Sequence, residues 1–300
     1  DTITGQGILD DGFWYEGSWG YHFYALDPLM HTALMAELGG LDLFSSQSLH
    51  DMFSCATRFS MPDLTLPPFN DSKRQDLTSR RGMYEVAYAR YLEDQLAAPL
   101  AGGSRGREAL FWGIEQVPAV GEQALGSLVF PDAGYVVFRA GEEEHAHYLA
   151  LDYGPHGGWH GHYDKLGFVS FARGEVMGLD PGTQSYAAPT HDTWDKVSVA
   201  HNTVVIDEST QAEATGSLIR AVLLPDLGFA RAGAGPVYPD DAELTRTLAL
   251  TPDYALDVFR VEAIDGQNHQ IDLVYHNAGD ATAGLSLTAY DAFPDGEGYQ

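Results

Sequence analysis

HYLALDYGPHGGWHGHYDKLGFVSFA, residues 147–172, decides the fold. Its two ends, HYLALDY and LGFVSFA, are short runs rich in aromatic and aliphatic residues that read as strands. The stretch between them is rich in glycine and histidine and carries no helical period. Two strands joined by a loop without a crossover helix pair antiparallel. The pattern continues on both sides, in AGYVVFR (133–139), NTVVID (202–207), IRAVLL (219–224), ALDVFRVEA (255–263) and HQIDLVYH (269–276), with Gly, Pro and Asp turns between. From about residue 120 the sequence therefore predicts an antiparallel sandwich or barrel.

Upstream the pattern is helical. Asp27-Pro28 reads as an N-cap followed by proline at the first helical position, LMHTALMAEL as the helix and Gly39-Gly40 as its stop. RRGMYEVAYARYLEDQLAAPL (80–100) places Tyr84, Tyr88, Tyr91, Leu92 and Leu96 at helical spacing, and REALFWGI (107–114) reads as a last short helix. The proline-rich MPDLTLPPFNDS (61–72) reads as a loop or a groove edge. The expected architecture is α+β and multidomain: a helical domain over residues 1–118 and an antiparallel β-sandwich over residues 119–300.

Composition narrows the function classes. With 300 residues, 44% of them hydrophobic, the chain can bury a sizeable core, and no apolar run approaches the ~18 residues of a membrane span. A net charge of −27 argues against a nucleic-acid partner. The single cysteine, Cys55, excludes an internal disulfide and leaves the compartment open. The abrupt start at DTITGQG and stop at DGEGYQ suggest a fragment of a longer chain.

Seven of the twelve histidines lie between His145 and His201. Within that window His162 precedes one strand, Asp180 follows it in GLDPGTQSY (178–186), and His201 opens the next in VAHNTVVID (199–207). Two imidazoles and a carboxylate at neighbouring strand ends, with one position left open, make a plausible Zn²⁺ site; hydrogen-bonded surface or core histidines are the alternative. Asp164, two residues after His162, reads as a partner that orients His162 from behind.

HGHYDKLGF, LDPGTQSY and VAHNTVVIDESTQ, in this order and at these separations, resemble the C-terminal region of heparinase II/III-like polysaccharide lyases, a family that includes alginate lyases. DDGFWYEGSWGYHFYAL (10–26) resembles the segment those enzymes carry on the last part of an incomplete α/α toroid. The resemblance runs over essentially the whole chain. It implies a partial toroid followed by the sandwich, and a zinc held by His162, Asp180 and His201 that organises the site without serving as Lewis acid. It also implies β-elimination on a uronic acid, in which the proton at C5 is removed and the C4 oxygen leaves. Tyr186 matches the family's catalytic tyrosine, and Tyr21 the second tyrosine, from the toroid. A phenol suits both proton transfers if nearby cations lower its pKa from about 10. The expected partner is an acidic polysaccharide or oligosaccharide, the expected location periplasmic or secreted, and a homodimer is compatible with both. The family's asparagine–histidine pair lies upstream of the DGFWYEGS segment and has no counterpart here, so an incomplete catalyst is expected of the chain alone.

Other residues follow from chemistry. Lys165 and Arg246 offer positive charge to an acidic glycan, with plain surface ion pairs as the alternative. Asn202, a candidate substrate contact, reads first as structural, holding the His201 imidazole or a loop. Trp19, Trp159 and Trp194 offer rings to stack on sugars, at least one of them expected in the core. His22 reads as a helix-surface residue, and of Tyr15, Tyr21 and Tyr24 at least one is expected in the core. Two further functions stay open: a glycan-binding module that keeps its aromatics and zinc without turnover, and a metal-dependent hydrolase with Asp164 as base.

Overall fold

The computed structural model describes residues 7–117, 125–142 and 145–280, together with 282, 284, 286 and 288. The expected domain boundary at 118/119 lies outside the described residues. The chain divides into two compact units. One comprises Asp1–Gly126, Phe130–Ala133 and Gly157–Gly161; the other comprises Ser127–Val129, Gly134–His156 and His162–Gln300. The first is helical and the second is built of antiparallel strands, so the chain is α+β and multidomain.

The helical unit starts earlier than the sequence suggested. Helix α1 runs Trp19–Leu38 and passes straight through Pro28, correcting the expectation that Asp27-Pro28 begins it. The energetics explain this. An interior proline costs about 3 kcal/mol, whereas Trp19, Phe23, Leu26, Met30 and Leu34 form one buried stripe, each gaining about 1.5–3 kcal/mol by leaving water. Gly40, at φ +83, ends the helix as expected. Helix α2, Gln47–Phe59, was not anticipated; its Ser, His, Asp and Thr are poor helix formers, yet Leu49, Met52, Phe53, Ala56 and Phe59 are buried at helical spacing. Helix α3 spans Arg81–Tyr91 and stops because Leu92 turns left-handed at φ +54, which puts that side chain 64% exposed and off the expected stripe. Short helices α4 (Asp94–Ala97) and α5 (Arg107–Trp112) follow. Within the proline-rich loop, β1 (Thr65–Leu66) pairs with β2 (Gln75–Asp76), and Asn70, Asp71 and Ser72 are buried.

The core of this unit is aromatic. The ring of Phe13 lies 4.7 Å from that of Trp19 and 5.4 Å from that of Phe59, and the latter two are 5.2 Å apart. Trp19 is 1% exposed, which corrects its reading as a sugar platform: its ring faces are covered by protein. His22 is likewise buried, with Nε2 3.0 Å from the Met52 carbonyl and Nδ1 accepting from the Trp14 backbone N–H. Burial pushes its pKa down to about 4, the Met52 carbonyl opposing, so it is a neutral core residue and not a surface one. With Phe13, Trp19 and Phe23 filling that core, Tyr15 and Tyr24 are exposed and Tyr21 half-buried; none of the three is a core residue.

The second unit is a sandwich of two antiparallel sheets. One has five strands in the order β3 (Leu128–Phe130), β4 (Tyr135–Ala140), β5 (His147–Asp152), β6 (Phe168–Ala172), β7 (Glu175–Gly178). The other runs β12 (Ala255–Ala263), β11 (Ala242–Leu250), β10 (Leu227–Gly233), β9 (Ser217–Leu224). Val136, Phe138, Leu149 and Leu151 from the first pack with Ala230, Ala232, Leu244 and Leu248 from the second in one core. A separate ladder joins β8 (Val204–Ile206) to β13 (Ile271–Leu273).

That ladder is clamped by a charged histidine. His269 places Nδ1 2.6 Å from an Asp207 carboxylate oxygen and Nε2 3.0 Å from an Asp265 oxygen. Only the doubly protonated ring can donate to both. The Asp207 contact, then the Asp265 contact, raises the His269 pKa to about 9. Because the folded pKa lies above the unfolded value near 6.5, the clamp's stabilisation is complete below about pH 6.5 and is lost as pH rises through about 9. A His269→Gln variant is therefore expected to lower Tm more at pH 6 than at pH 9.5 in thermal melts. An equal loss at both would contradict a protonated clamp.

Candidate metal centre and active-site loop

Three turns bring the candidate ligands together. His162 precedes a tight turn in which Gly167 N–H donates to the Asp164 carbonyl at 2.7 Å, and the turn is sewn to β5 by Leu166 N–H to Asp152 O and Asp152 N–H to Gly167 O, each 2.9 Å. Asp180 follows β7 and caps its own turn, Oδ1 accepting from Gly182 N–H at 3.0 Å. His201 ends the short turn Ser198–Ala200 before β8. Ligand atoms of His162, Asp180 and His201 lie within 4.8 Å of one another. The expected trio thus forms one cluster, with both imidazoles at 0% exposure.

Its electrostatics suit a cation. His201 Nδ1 sits 2.8 Å from Asp180 Oδ2, and Nε2 3.1 Å from the Asp195 carbonyl. Burial alone would lower the His201 pKa, and the Asp180 carboxylate more than offsets it, for a net upward shift. Close by, Asp164 is 1% exposed and its Oδ2 accepts no hydrogen bond from the protein. The buried ammonium of Lys165 pairs with the carboxylates of Asp152 and Asp164, and the Asp180 carboxylate pairs with His201. Buried carboxylates at this point, Asp164 and Asp180, favour a positive charge between them and the imidazoles. The donor set, two nitrogens and one carboxylate oxygen, is that of a zinc site.

Lys165 and Arg246, offered as cations for an acidic glycan, are buried in ion pairs, and Asn202 takes the structural part. Lys165 is 2% exposed, its Nζ 2.8 Å from Asp152 and 3.4 Å from Asp164. Burial would lower its pKa and the two carboxylates override it, so the ammonium stays charged inside the protein. Arg246 lies on the inward face of β11 at 0% exposure, its guanidinium between Phe168 (4.6 Å) and Phe259 (5.1 Å). It pairs with Asp257 at 2.9 and 2.6 Å and donates to the carbonyls of Leu166 and Asn202. Asn202 donates to Phe168 O at 2.9 Å and Leu179 O at 2.8 Å and accepts from His276 N–H at 2.6 Å. These groups spend their polar atoms tying the segments around His162, Asp180 and His201, so none reaches a ligand. Gln211 has a similar part, accepting from Lys165 N–H at 2.9 Å.

The loop after Asp180 carries Tyr186, which is 56% exposed. It is fixed from beneath: buried Asp195 accepts from Gln184 N–H at 3.0 Å, and the His191 ring meets Tyr186 edge-on at 4.8 Å while its Nδ1 lies 3.3 Å from Thr183 Oγ1. Asp195, through its carbonyl, also touches His201, so loop and metal cluster share one residue. Neither His191 nor Asp195 was singled out in the sequence. Both lie in HDTWD, which forms a wide helical turn there. In the helical unit Tyr21 stacks on His160, centroids 3.8 Å apart at 20°, and His160 Nδ1 lies 3.0 Å from Asp71 Oδ2 and its Nε2 3.8 Å from Glu16. His160, the first histidine of HGH, and Asp71 were likewise not anticipated. Trp159 is 92% exposed, and the half-buried Trp194 meets His276 edge-on at 5.9 Å.

Two family models match: "Heparinase II/III N-terminus" over residues 1–96 and "Heparinase II/III-like, C-terminal" over residues 122–299. A curated heparin-sulfate lyase of Pedobacter heparinus is 24% identical over 217 residues, 69% of this chain and 31% of that protein. Among solved structures, a heparinase III gene product aligns with TM-score 0.77 at 19% identity over 93% of this chain and 42% of its own. The heparan sulfate lyase HepC from Pedobacter heparinus aligns with TM-score 0.71 at 21% identity over 87% and 40%. The chain thus spans less than half the length of these relatives, and the structural likenesses carry the fold.

Proposed function

The chain belongs to the heparinase II/III-like family, and from that membership we propose that it is the part of a lyase that bears the catalytic tyrosines, acting on uronate-containing acidic polysaccharides by β-elimination. The observation that carries the reading is the link between the Tyr186 loop and the His162, Asp180 and His201 cluster: Asp195, which braces the loop, also places its carbonyl oxygen 3.1 Å from His201 Nε2. A lyase base must be held within about 3 Å of the C5 proton, and a loop anchored at both ends provides that. We assign the helical unit to the end of the α/α toroid and the strands to the sandwich, as the resemblance implied.

The chemistry is assigned as follows. The C5 proton is weakly acidic while the neighbouring carboxylate is ionised, so hydrogen-bond donors must neutralise that carboxylate before a base can act. Tyr186, as phenolate, takes the proton and, as phenol, returns one to the departing C4 oxygen; the C4–O bond breaks as the C4–C5 double bond forms. Tyr21, oriented by its stack on His160, is the second tyrosine. His162, Asp180 and His201 would hold a zinc ion, which when bound would supply a fixed positive charge. The protein residues do the rest: Asn202 and Arg246 tie the three ligand-bearing segments together, and His191 fills the space beneath the Tyr186 ring. No helix among the described residues is long and apolar enough to cross a membrane; a periplasmic or secreted site of action is proposed from the family.

The test is to incubate the full-length protein with heparan-type, chondroitin-type and alginate polymers. The reading requires new ultraviolet absorbance from an unsaturated uronate end on at least one of them. New reducing ends without that absorbance would mean hydrolysis, and binding without either would mean a glycan-binding module.

A further inference from the structure

A loop of five residues, Gly157–Gly161, lifts one side chain almost wholly into solvent: Trp159 is 92% exposed. Leaving an indole in water forfeits the largest burial gain any side chain can make, and this one is not displayed on a slack segment. Gly157 and Gly158 adopt φ +88 and +64, the left-handed region open to glycine. A Cβ on Gly157 would come within 2.5 Å of the Glu16 carbonyl, so the backbone is pressed against its neighbour. Gly161 N–H donates to Gly158 O at 3.1 Å and Asp71 N–H to His160 O at 3.0 Å. His160, the next residue, is fixed by Asp71 and lies against the Tyr21 ring. The turn is held at several points, and its apex aromatic directly precedes His160, which stacks on one of the two proposed catalytic tyrosines.

We propose that Trp159 is the stacking platform of a sugar subsite adjoining Tyr21, taking the apolar face of the pyranose next to the uronate that reacts. The proposal rests on the lyase reading for its choice of ligand. An indole offers a broad apolar face at little entropic cost, since the backbone beneath it is already fixed, and the C–H groups on one face of a pyranose match it. The surroundings say what kind of contact this is. Two carboxylates, Asp71 and Glu16, contact His160, and these do not draw anions to the loop. Binding at Trp159 comes from stacking rather than ion pairing, and it is insensitive to salt where phosphate- or sulfate-seeking sites are not.

Calorimetric titration of the full chain with an unsulfated uronate–N-acetylhexosamine tetrasaccharide, at low and high salt, tests this. Trp159→Ala is expected to weaken binding about tenfold, by the same factor at both salt concentrations, and Trp159→Phe to restore most of it. Light scattering and thermal melts are expected to be unchanged, because the residue is 92% exposed and its removal opens no cavity. The proposal is overturned if Trp159→Ala binds within about twofold of the wild type, if the wild type does not bind the tetrasaccharide, or if the substitution changes the oligomeric state instead. The two readings separate cleanly. Trp159-dependent binding without unsaturated product keeps the subsite and sinks the lyase. Unsaturated product with an unchanged KM in Trp159→Ala keeps the lyase and sinks the subsite.

Discussion

Tyr186→Phe in the full-length enzyme is expected to reduce formation of unsaturated product by at least about 10²- to 10⁴-fold, the range over which a positioned acid or base accelerates proton transfer. The substitution removes one oxygen from a ring that is 56% exposed, so it opens no cavity. The ring's edge-on contact with His191 is kept. Stability and oligosaccharide affinity should therefore stay within error while turnover collapses, seen as a fall in kcat with little change in KM. A phenylalanine variant that turns over normally would remove Tyr186 from the chemistry.

Lys165→Met is the second substitution with a large expected effect, and it acts on the fold. The ammonium holds Asp152 and Asp164 together at 2% exposure. Methionine fills much of the same volume and strands two buried carboxylates, a change that costs about 3–5 kcal/mol when one partner of a buried pair is lost. At about 2–4 °C per kcal/mol for a unit of this size, a fall in Tm of roughly 6–20 °C is expected. The triple change Lys165→Met, Asp152→Asn, Asp164→Asn should recover part of the loss, since uncharged amides need no counter-charge. A single variant as stable as the wild type would mean that the carboxylates are neutral or solvated.

Lys165 also shows where sequence reading stops. Strand positions are legible because side chains alternate along each strand, whereas the ligand set rests on the family resemblance: His162 and Asp180 flank strands of the five-stranded sheet and His201 precedes β8 of a separate ladder, a convergence that spacing alone leaves open. The environment of a single charged side chain is not legible. Lys165 and Arg246 look like surface cations in sequence, and what buries them is distant: Arg246 donates to Leu166, 80 positions away, and Lys165 pairs with Asp152 across a turn. Helix α1 was cut short at Pro28 because local propensity outweighed a burial stripe that only the packed unit reveals. Helix α2 did carry a signal, Leu49, Met52, Phe53, Ala56 and Phe59, but polar residues of low helix propensity hid it. His160 was passed over for its neighbour His162, because stacking on Tyr21 and pairing with Asp71 join residues 139 and 89 positions apart.

At the sandwich, His162, Asp180 and His201 are proposed to hold a metal ion. Diffraction at the zinc absorption edge, on crystals grown without added metal, tests this at the atoms concerned. A single anomalous peak bonded to those three side chains at about 2.0–2.2 Å, matching about one zinc per chain in solution, is the expected result. No peak there, with Asp180 still bonded to His201 and chain-equivalent zinc absent from the purified protein, would contradict it.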